Sequence, residues 1–238
     1  MILAVTSDWH DDWVTTRVPR HEDVQRAALR SVDVAKEAGA DFYLFAGDLC
    51  DPDDPYAVLR ATALMSNVIR SFGKAFVAIP GNHDVFENGT GDSTLMAVYP
   101  ALGWVMTGIP TMCRLDPRVA ILTLPFAPTS HTYDPSDWVK RYRPIGGVEV
   151  TIVLSHLSVP GIQPGEETAA MPRGRDVVLP LDEIAKMPGK IVVINGHYHR
   201  AQTFECPRTG VKVHIPGSLV RLTHSEEDHE PSVLIMEV

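Results

Sequence analysis

Phe42-Tyr43-Leu44-Phe45-Ala46-Gly47-Asp48-Leu49-Cys50-Asp51 is the stretch from which the fold is read. A short β-prone apolar run ends abruptly in Gly-Asp, the pattern of a buried strand that delivers a carboxylate to its C-terminal tip. An acidic group there is costly unless something positive faces it, and a metal ion is the economical counter-charge. The same grammar recurs in Val5-Thr6-Ser7-Asp8-Trp9-His10 and in Val77-Ala78-Ile79-Pro80-Gly81-Asn82-His83-Asp84. It returns in Ile152-Val153-Leu154-Ser155-His156 and in Ile191-Val192-Val193-Ile194-Asn195-Gly196-His197-Tyr198-His199. Core packing alone does not explain five strand tips that each carry Asp, Asn or His.

Around these tips the chain alternates strands and helices. Strand 2–7 is followed by a helix over 21–38, where Val24, Ala27, Ala28, Val32 and Ala35 recur at helical spacing before Gly39. Strand 42–46, helix 56–71 and strand 75–79 follow. This order predicts a parallel sheet with helices on its faces, and ligands of such sheets collect beyond the carboxyl ends of the strands. A short helix is expected over 92–99, strands over 104–107 and 118–124, a short helix near 135–142, and strands over 148–154 and 190–194. Hairpin strands are expected over 201–206, 211–215, 217–222 and 232–237. Segments 125–133 and 158–176 read as rim loops. His224 to Glu230 reads as a charged, solvated turn.

The 238 residues carry 21 basic and 30 acidic side chains, a net charge of −9 that argues against a generally basic, nucleic-acid-coating surface. A local positive site stays open, because bound cations reverse the sign where a substrate lands. Cys50, Cys113 and Cys206 form no Cys-x-x-Cys pair, which fits a reducing, cytoplasmic setting. No signal peptide is legible. The uncharged window 95–113 is long enough to span a bilayer but is interrupted by Pro100, Gly103, Gly108 and Pro110, so no membrane association is expected.

Asp, Asn and His offer oxygens and imidazole nitrogens that suit Mn, Fe, Co or Zn. Seven such residues exceed the needs of one metal, and two metals sharing a carboxylate fit better. A pair roughly 3.5–4 Å apart can clamp and polarise a phosphate. His83, directly after Asn82, can supply the proton that a leaving alkoxide needs.

Asp-x-His at 8–10, Gly-Asp-x-x-Asp at 47–51, Gly-Asn-His-Asp at 81–84, His156 and Gly-His-x-His at 196–199 resemble, in order and spacing, the calcineurin-like metallophosphoesterases. The resemblance implies a two-sheet β-sandwich flanked by helices (αββα, in the α/β class). It implies one metal on Asp8, His10, Asp48 and His199, and a second on Asp48, Asn82, His156 and His197, with Asp48 bridging and His83 catalytic. Manganese is expected first, with Fe, Zn, Co or Ni as alternatives. Asp51 and Asp84 are expected to support the ligands rather than to bind metal, and Arg173 and Arg175 are candidate phosphate contacts.

Within the superfamily the chain looks most like the SbcD-type DNA-repair exonucleases, through Thr6-Ser7-Asp8-Trp9-His10, Gly196-His197-Tyr198-His199-Arg200-Ala201-Gln202 and Ile215-Pro216-Gly217-Ser218. Asp11-Asp12 stands where those proteins usually carry Leu-Gly. No capping domain or partner-binding helices are legible. The expectation is therefore one phosphoesterase domain over 1–238, acting without an ATPase partner, with a homo-oligomer allowed. Its expected activity is hydrolysis of a nucleotide phosphodiester: a single-stranded nucleic-acid end, a short oligonucleotide or a cyclic nucleotide. Phosphomonoester hydrolysis and a non-catalytic scaffold are the alternatives.

Overall fold

The structure is a computed structural model that describes residues 1–86, 92–98, 105–106, 108–126, 133–143, 145–162 and 177–238. In chain order the elements are β1 (Ile2–Thr6), β2 (Val14–Thr15), β3 (Val18–Pro19), α1 (His21–Glu37), β4 (Phe42–Phe45), α2 (Pro55–Phe72), β5 (Ala75–Ala78) and β6 (Val105–Met106). They continue with β7 (Thr111–Asp116), β8 (Val119–Leu124), α3 (Pro135–Arg141), β9 (Val150–Ser155), α4 (Leu181–Ile184), β10 (Lys190–Asn195), β11 (Gln202–Glu205), β12 (Lys212–Ile215) and β13 (Leu234–Glu237).

One sheet has the order β13-β1-β4-β5-β6 and the other β11-β12-β10-β9-β8-β7. In the first, β1, β4, β5 and β6 are parallel and β13 closes the edge antiparallel. In the second, β8, β9, β10 and β12 are parallel, between antiparallel edges β7 and β11. Strand alternation sorts the side chains into layers. Leu3, Val5, Leu44 and Val77 face Ile121, Ile152, Leu154 and Ile194 between the two sheets. Ala4, Tyr43, Phe45 and Phe76 turn the other way, against Val24, Ala28 and Val32 of α1 and Met65, Val68 and Ile69 of α2. On the far face of the second sheet Leu122, Val153, Val193 and Val213 meet Val139 after α3's first turn and Leu181 and Ile184 of α4. Each Leu or Ile so buried contributes about 1.5–3 kcal/mol. A one-residue slip would reverse an entire face, so the register is strongly specified.

The helices end where local chemistry stops them. The Asp54 carboxylate accepts the Tyr56 N–H at 2.9 Å, with Pro55 in the first turn of α2. Gly73, at φ 72°, terminates that helix in the left-handed conformation.

Four sequence expectations are corrected. Residues 111–116 form an unanticipated edge strand, β7. The run 217–222 is not a strand: Ser218 makes one isolated bridge to Ser7, and Leu219, Val220 and Leu222 drop into the core under α1. His224–Glu226 is a 3-10 turn whose Glu226 is buried rather than solvated. The expected helix at 92–99 is a 3-10 turn, Thr94–Ala97, with residue 99 outside the described residues. Most of both rim loops, Arg173 and Arg175 included, also lies outside them. No helix among the described residues is long and apolar enough to cross a membrane.

Candidate metal centre

The C-terminal ends of both parallel runs meet at one edge of the sandwich. The His156 ring, beyond β9, donates from Nδ1 to the Ala46 carbonyl beyond β4 at 2.6 Å. The His197 N–H, beyond β10, donates to Asp8 Oδ1 beyond β1 at 3.1 Å. Each sheet therefore supplies part of the centre.

The tips are held in conformations that side chains normally avoid. Asp8, His10, Asp48 and His197 have φ of 53°, 47°, 62° and 78°. A non-glycine residue in that region costs of order 1–3 kcal/mol and persists only where its surroundings over-determine it. Here the Asp8 N–H donates to the Gly47 carbonyl at 2.8 Å and the Trp9 N–H to the Asp48 carbonyl at 2.7 Å. The buried Asp84 carboxylate accepts from the backbone N–H groups of Asp48 (2.8 Å), Leu49 (2.8 Å), Cys50 (3.2 Å) and Gly81 (2.8 Å), and from Thr94 Oγ1 (3.0 Å). Burial pushes Asp84 up to about 6, and Asp48 pushes the same way, against those donors. Five donors and no acceptor among the described residues are the surroundings of a carboxylate, and Asp84 pins the β4 and β5 tips together. Two glycines are required by close approach. A Cβ on Gly81 would lie 2.1 Å from Asp48 Oδ1, and one on Gly196 would lie 2.2 Å from the Ala46 carbonyl oxygen.

All seven candidate ligands come together. Asp8, His10 and His199 each bring a ligand-type atom within 4.8 Å of the others, as do Asp8, Asp48 and His156. Asp48 Oδ2 lies 3.6 Å from His10 Nε2 and 3.3 Å from His156 Nε2, between the two groups. Asn82 Oδ1 lies 3.1 Å from His156 Nε2 and 2.9 Å from His197 Nδ1. His10 Nε2 and His199 Nε2 face each other at 3.2 Å. Because His156 commits its Nδ1 proton to Ala46, Nε2 is the ring atom turned toward two oxygens, Asp48 Oδ2 and Asn82 Oδ1. The buried Asp8 Oδ2 has no hydrogen-bond partner among the described residues. Acceptors thus converge with too few protons among them, an arrangement that costs energy unless cations fill it. The donor set fits divalent ions that take mixed O and N ligands.

The electrostatics agree. Burial raises Asp48, but the charge and hydrogen bond of His156, with the His83 charge, outweigh it and hold its carboxyl well below the usual range. Burial disfavours charge on His156, yet Asp48 and then Asp8 carry it up to about 9. In the metal-free chain a proton on Nε2 stands where a cation would. Burial, reinforced by His156, drives His197 down to about 3, and burial holds His10 well below its ordinary value. Both are neutral at pH 7, the state that ligates.

His83 sits at the mouth. Its backbone N–H donates to Asp48 Oδ1 at 2.8 Å, and its Nδ1 lies 3.8 Å from Asp51 Oδ2. Burial opposes its charge, but Asp51 and Asp48 prevail and raise it to about 9. Trp13 forms part of the wall with His10, Asp48, Asn82, His83, His197 and His199. Its indole N–H donates to the Leu222 carbonyl at 2.8 Å. Trp9, by contrast, is fully buried edge-on to Phe45 at 4.9 Å, a packing residue. Asp11 is buried against Arg60 at 2.6 Å, so the added acidity at position 11 is neutralised locally.

From sequence, Trp9 and Trp13 are both read as packing residues more than as base-stacking ones, and only Trp13 reaches the wall. Sequence reasoning missed the Ala46 carbonyl, which is backbone, and Glu226, which is one of several acids in His224–Glu230. The one usable signal is general: a ligating imidazole needs an acceptor for its second N–H.

Residues 1–201 match the family model for calcineurin-like phosphoesterases. Several solved structures share the fold at low identity. A dimetal phosphatase from Danio rerio is 9% identical over 99% of this chain and 91% of that one, with a TM-score of 0.61. The TT1561 protein of Thermus thermophilus is 12% identical over 91% of this chain and 89% of that one, with a TM-score of 0.53. A phosphopantetheinyl hydrolase from Mycobacterium tuberculosis is 13% identical over 96% and 92%, with a TM-score of 0.50.

Proposed function

The chain belongs to the calcineurin-like phosphoesterases, metal-dependent hydrolases of phosphoric esters, and on that basis we propose that it is a binuclear phosphodiesterase acting on nucleotide phosphodiesters. The observation that carries the proposal is the convergence of oxygen and imidazole-nitrogen ligand atoms from seven side chains, with the His83 imidazole at their mouth. Asp8, His10, Asp48 and His199 would hold one cation and Asp48, Asn82, His156 and His197 the other, Asp48 serving both. Bound divalent cations supply Lewis-acid activation and charge neutralisation for a phosphoryl group.

The chain's own residues supply the rest. His83, charged and steered by Asp51, donates a proton to the leaving oxygen. The rigid strand tips hold the ligands in place, so electrostatic stabilisation needs little reorganisation at the moment of reaction. Trp13 offers a flat wall on which a base can stack. The wall contains no Arg or Lys among the described residues, which suits a diester monoanion better than a dianion. An SbcD-like single-strand nuclease and a small cyclic-nucleotide phosphodiesterase are the two forms this takes, in a reducing, cytoplasmic setting that the three free thiols support. One observation favours a second reading, phosphomonoester hydrolysis: the His83 imidazolium is itself a positive charge that a dianion would use.

The test is turnover of bis-nitrophenyl phosphate, mono-nitrophenyl phosphate, a 2′,3′-cyclic nucleotide and a 5′-labelled single strand, with manganese and with a chelator. The diester is expected to be hydrolysed faster than the monoester, and the chelator to abolish both. His83→Ala should lower kcat by about 10²–10⁴-fold with metal retained. Faster monoester hydrolysis would support the second reading, and undiminished diester turnover in His83→Ala would sink the assigned proton donor.

A further inference from the structure

Glu226 is a buried carboxylate for which the proposed reaction has no use. It is 1% exposed and closes the 3-10 turn His224–Glu226, outside both sheets. Its two oxygens are engaged in different ways. Oε1 accepts from His199 Nδ1 at 2.8 Å and from Thr223 Oγ1 at 3.1 Å, while Oε2 accepts from the Leu222 N–H at 2.7 Å. Burial raises this carboxyl, but His199 first, and the Leu222 and Thr223 donors with it, together outweigh burial and keep it below the ordinary range. The turn is itself anchored beside the centre: the Ser218 N–H donates to the His199 carbonyl at 3.0 Å, and Leu222 accepts the Trp13 indole proton at 2.8 Å.

The consequence lies on the other side of the His199 ring. With its proton held on Nδ1, His199 presents an Nε2 lone pair 3.2 Å from His10 Nε2, inside the group formed with Asp8. His156 shows the same logic, but there the acceptor is the Ala46 main-chain carbonyl. The two halves of the centre are therefore supported differently, one by a strand-tip carbonyl and the other by a side chain on a turn.

We infer that Glu226 is a positioning residue that fixes the Nδ1–H tautomer and orientation of His199, and so sets the affinity of the Asp8–His10–His199 cation position selectively. This rests on the phosphoesterase reading of the cluster. Outer hydrogen bonds of this kind are worth about 10–100-fold in metal affinity.

The test uses the full chain, stripped of metal, as wild type, Glu226→Gln and Glu226→Leu. Manganese is titrated calorimetrically, and the His199 tautomer is read from long-range ¹⁵N–¹H NMR couplings in the metal-free protein. The expected result is two binding events in wild type, with one about 10–100-fold weaker in Glu226→Leu and the other unchanged. His199 should carry its proton on Nδ1 in wild type and in Glu226→Gln, whose amide oxygen still accepts, and lose that preference in Glu226→Leu. A folded Glu226→Leu that binds both ions as tightly as wild type would overturn the inference, and so would a wild-type His199 protonated on Nε2. Should Glu226→Leu fail to fold, for want of an acceptor for Leu222, the tautomer in wild type decides. A wild type that binds no manganese would sink the phosphoesterase reading, while that tautomer would still decide whether Glu226 holds His199.

Discussion

His83 and Asp51 stand 3.8 Å apart at the mouth of the centre, and the sign of their coupling makes a pH prediction. The histidine is raised from 6.5 to about 9 in the metal-free chain. Its charged form therefore contributes stability in full below about pH 6.5, and the contribution is lost as pH rises through about 9. A proton donor loses rate as pH rises through its own pKa. Asp51→Asn is expected to lower the His83 pKa, seen in an NMR titration of the metal-free protein, and to move the falling limb of kcat to lower pH. An unmoved limb would separate Asp51 from the proton transfer. Gly196 makes the second residue-scale prediction, because a Cβ there would lie 2.2 Å from the Ala46 carbonyl and 2.7 Å from His156 Nδ1. Gly196→Ala should cost about 1–3 kcal/mol in denaturant unfolding, as overpacking does, and should weaken metal binding by displacing His156.

Among the elements, α2 and β9 separate stability from chemistry. Removing the Asp54 cap of α2, which holds the Tyr56 N–H at 2.9 Å, should cost about 1 kcal/mol of unfolding free energy and leave turnover unchanged. Ile152→Ala, in the wholly buried layer between the sheets, should cost about 2–5 kcal/mol in the same measurement. The parallel strands β1, β4, β5, β8, β9 and β10 were legible because each is a mainly apolar run bounded by turn residues, and α1 and α2 because their buried residues recur at helical spacing. β7 was not: Thr111–Asp116 alternates half-buried and exposed positions at a sheet edge, where Arg and Asp weaken the apolar signal. The apolar run Leu219–Leu222 misled in the opposite sense. Its side chains are core, but its backbone is satisfied by Ser218, Glu226, Trp13 and Thr15 rather than by a ladder.

Across the whole molecule the centre links metal, protons and stability. His156 lies at about 9 in the metal-free chain, so at pH 7–8 it holds a proton that a cation must displace. Calorimetry in buffers of different ionisation enthalpy should show proton release on manganese binding at pH 7–8, fading as pH rises past about 9. A chelator should lower the Tm, since an ion present at about 1,000 times its Kd contributes about 4 kcal/mol to the folded state. The α/β order of elements and the seven residues at five strand tips are written in the chain locally, because apolar runs and metal-ligand side chains are signals that need no partner to be read. Folding alone establishes that tips from two sheets meet, that Asp84 ties two of them, that Asp11 is neutralised by Arg60 and that Glu226 reaches His199. Those are contacts between residues as many as 189 positions apart, as His197 is from Asp8, and no local pattern encodes which buried acceptor closes on which donor.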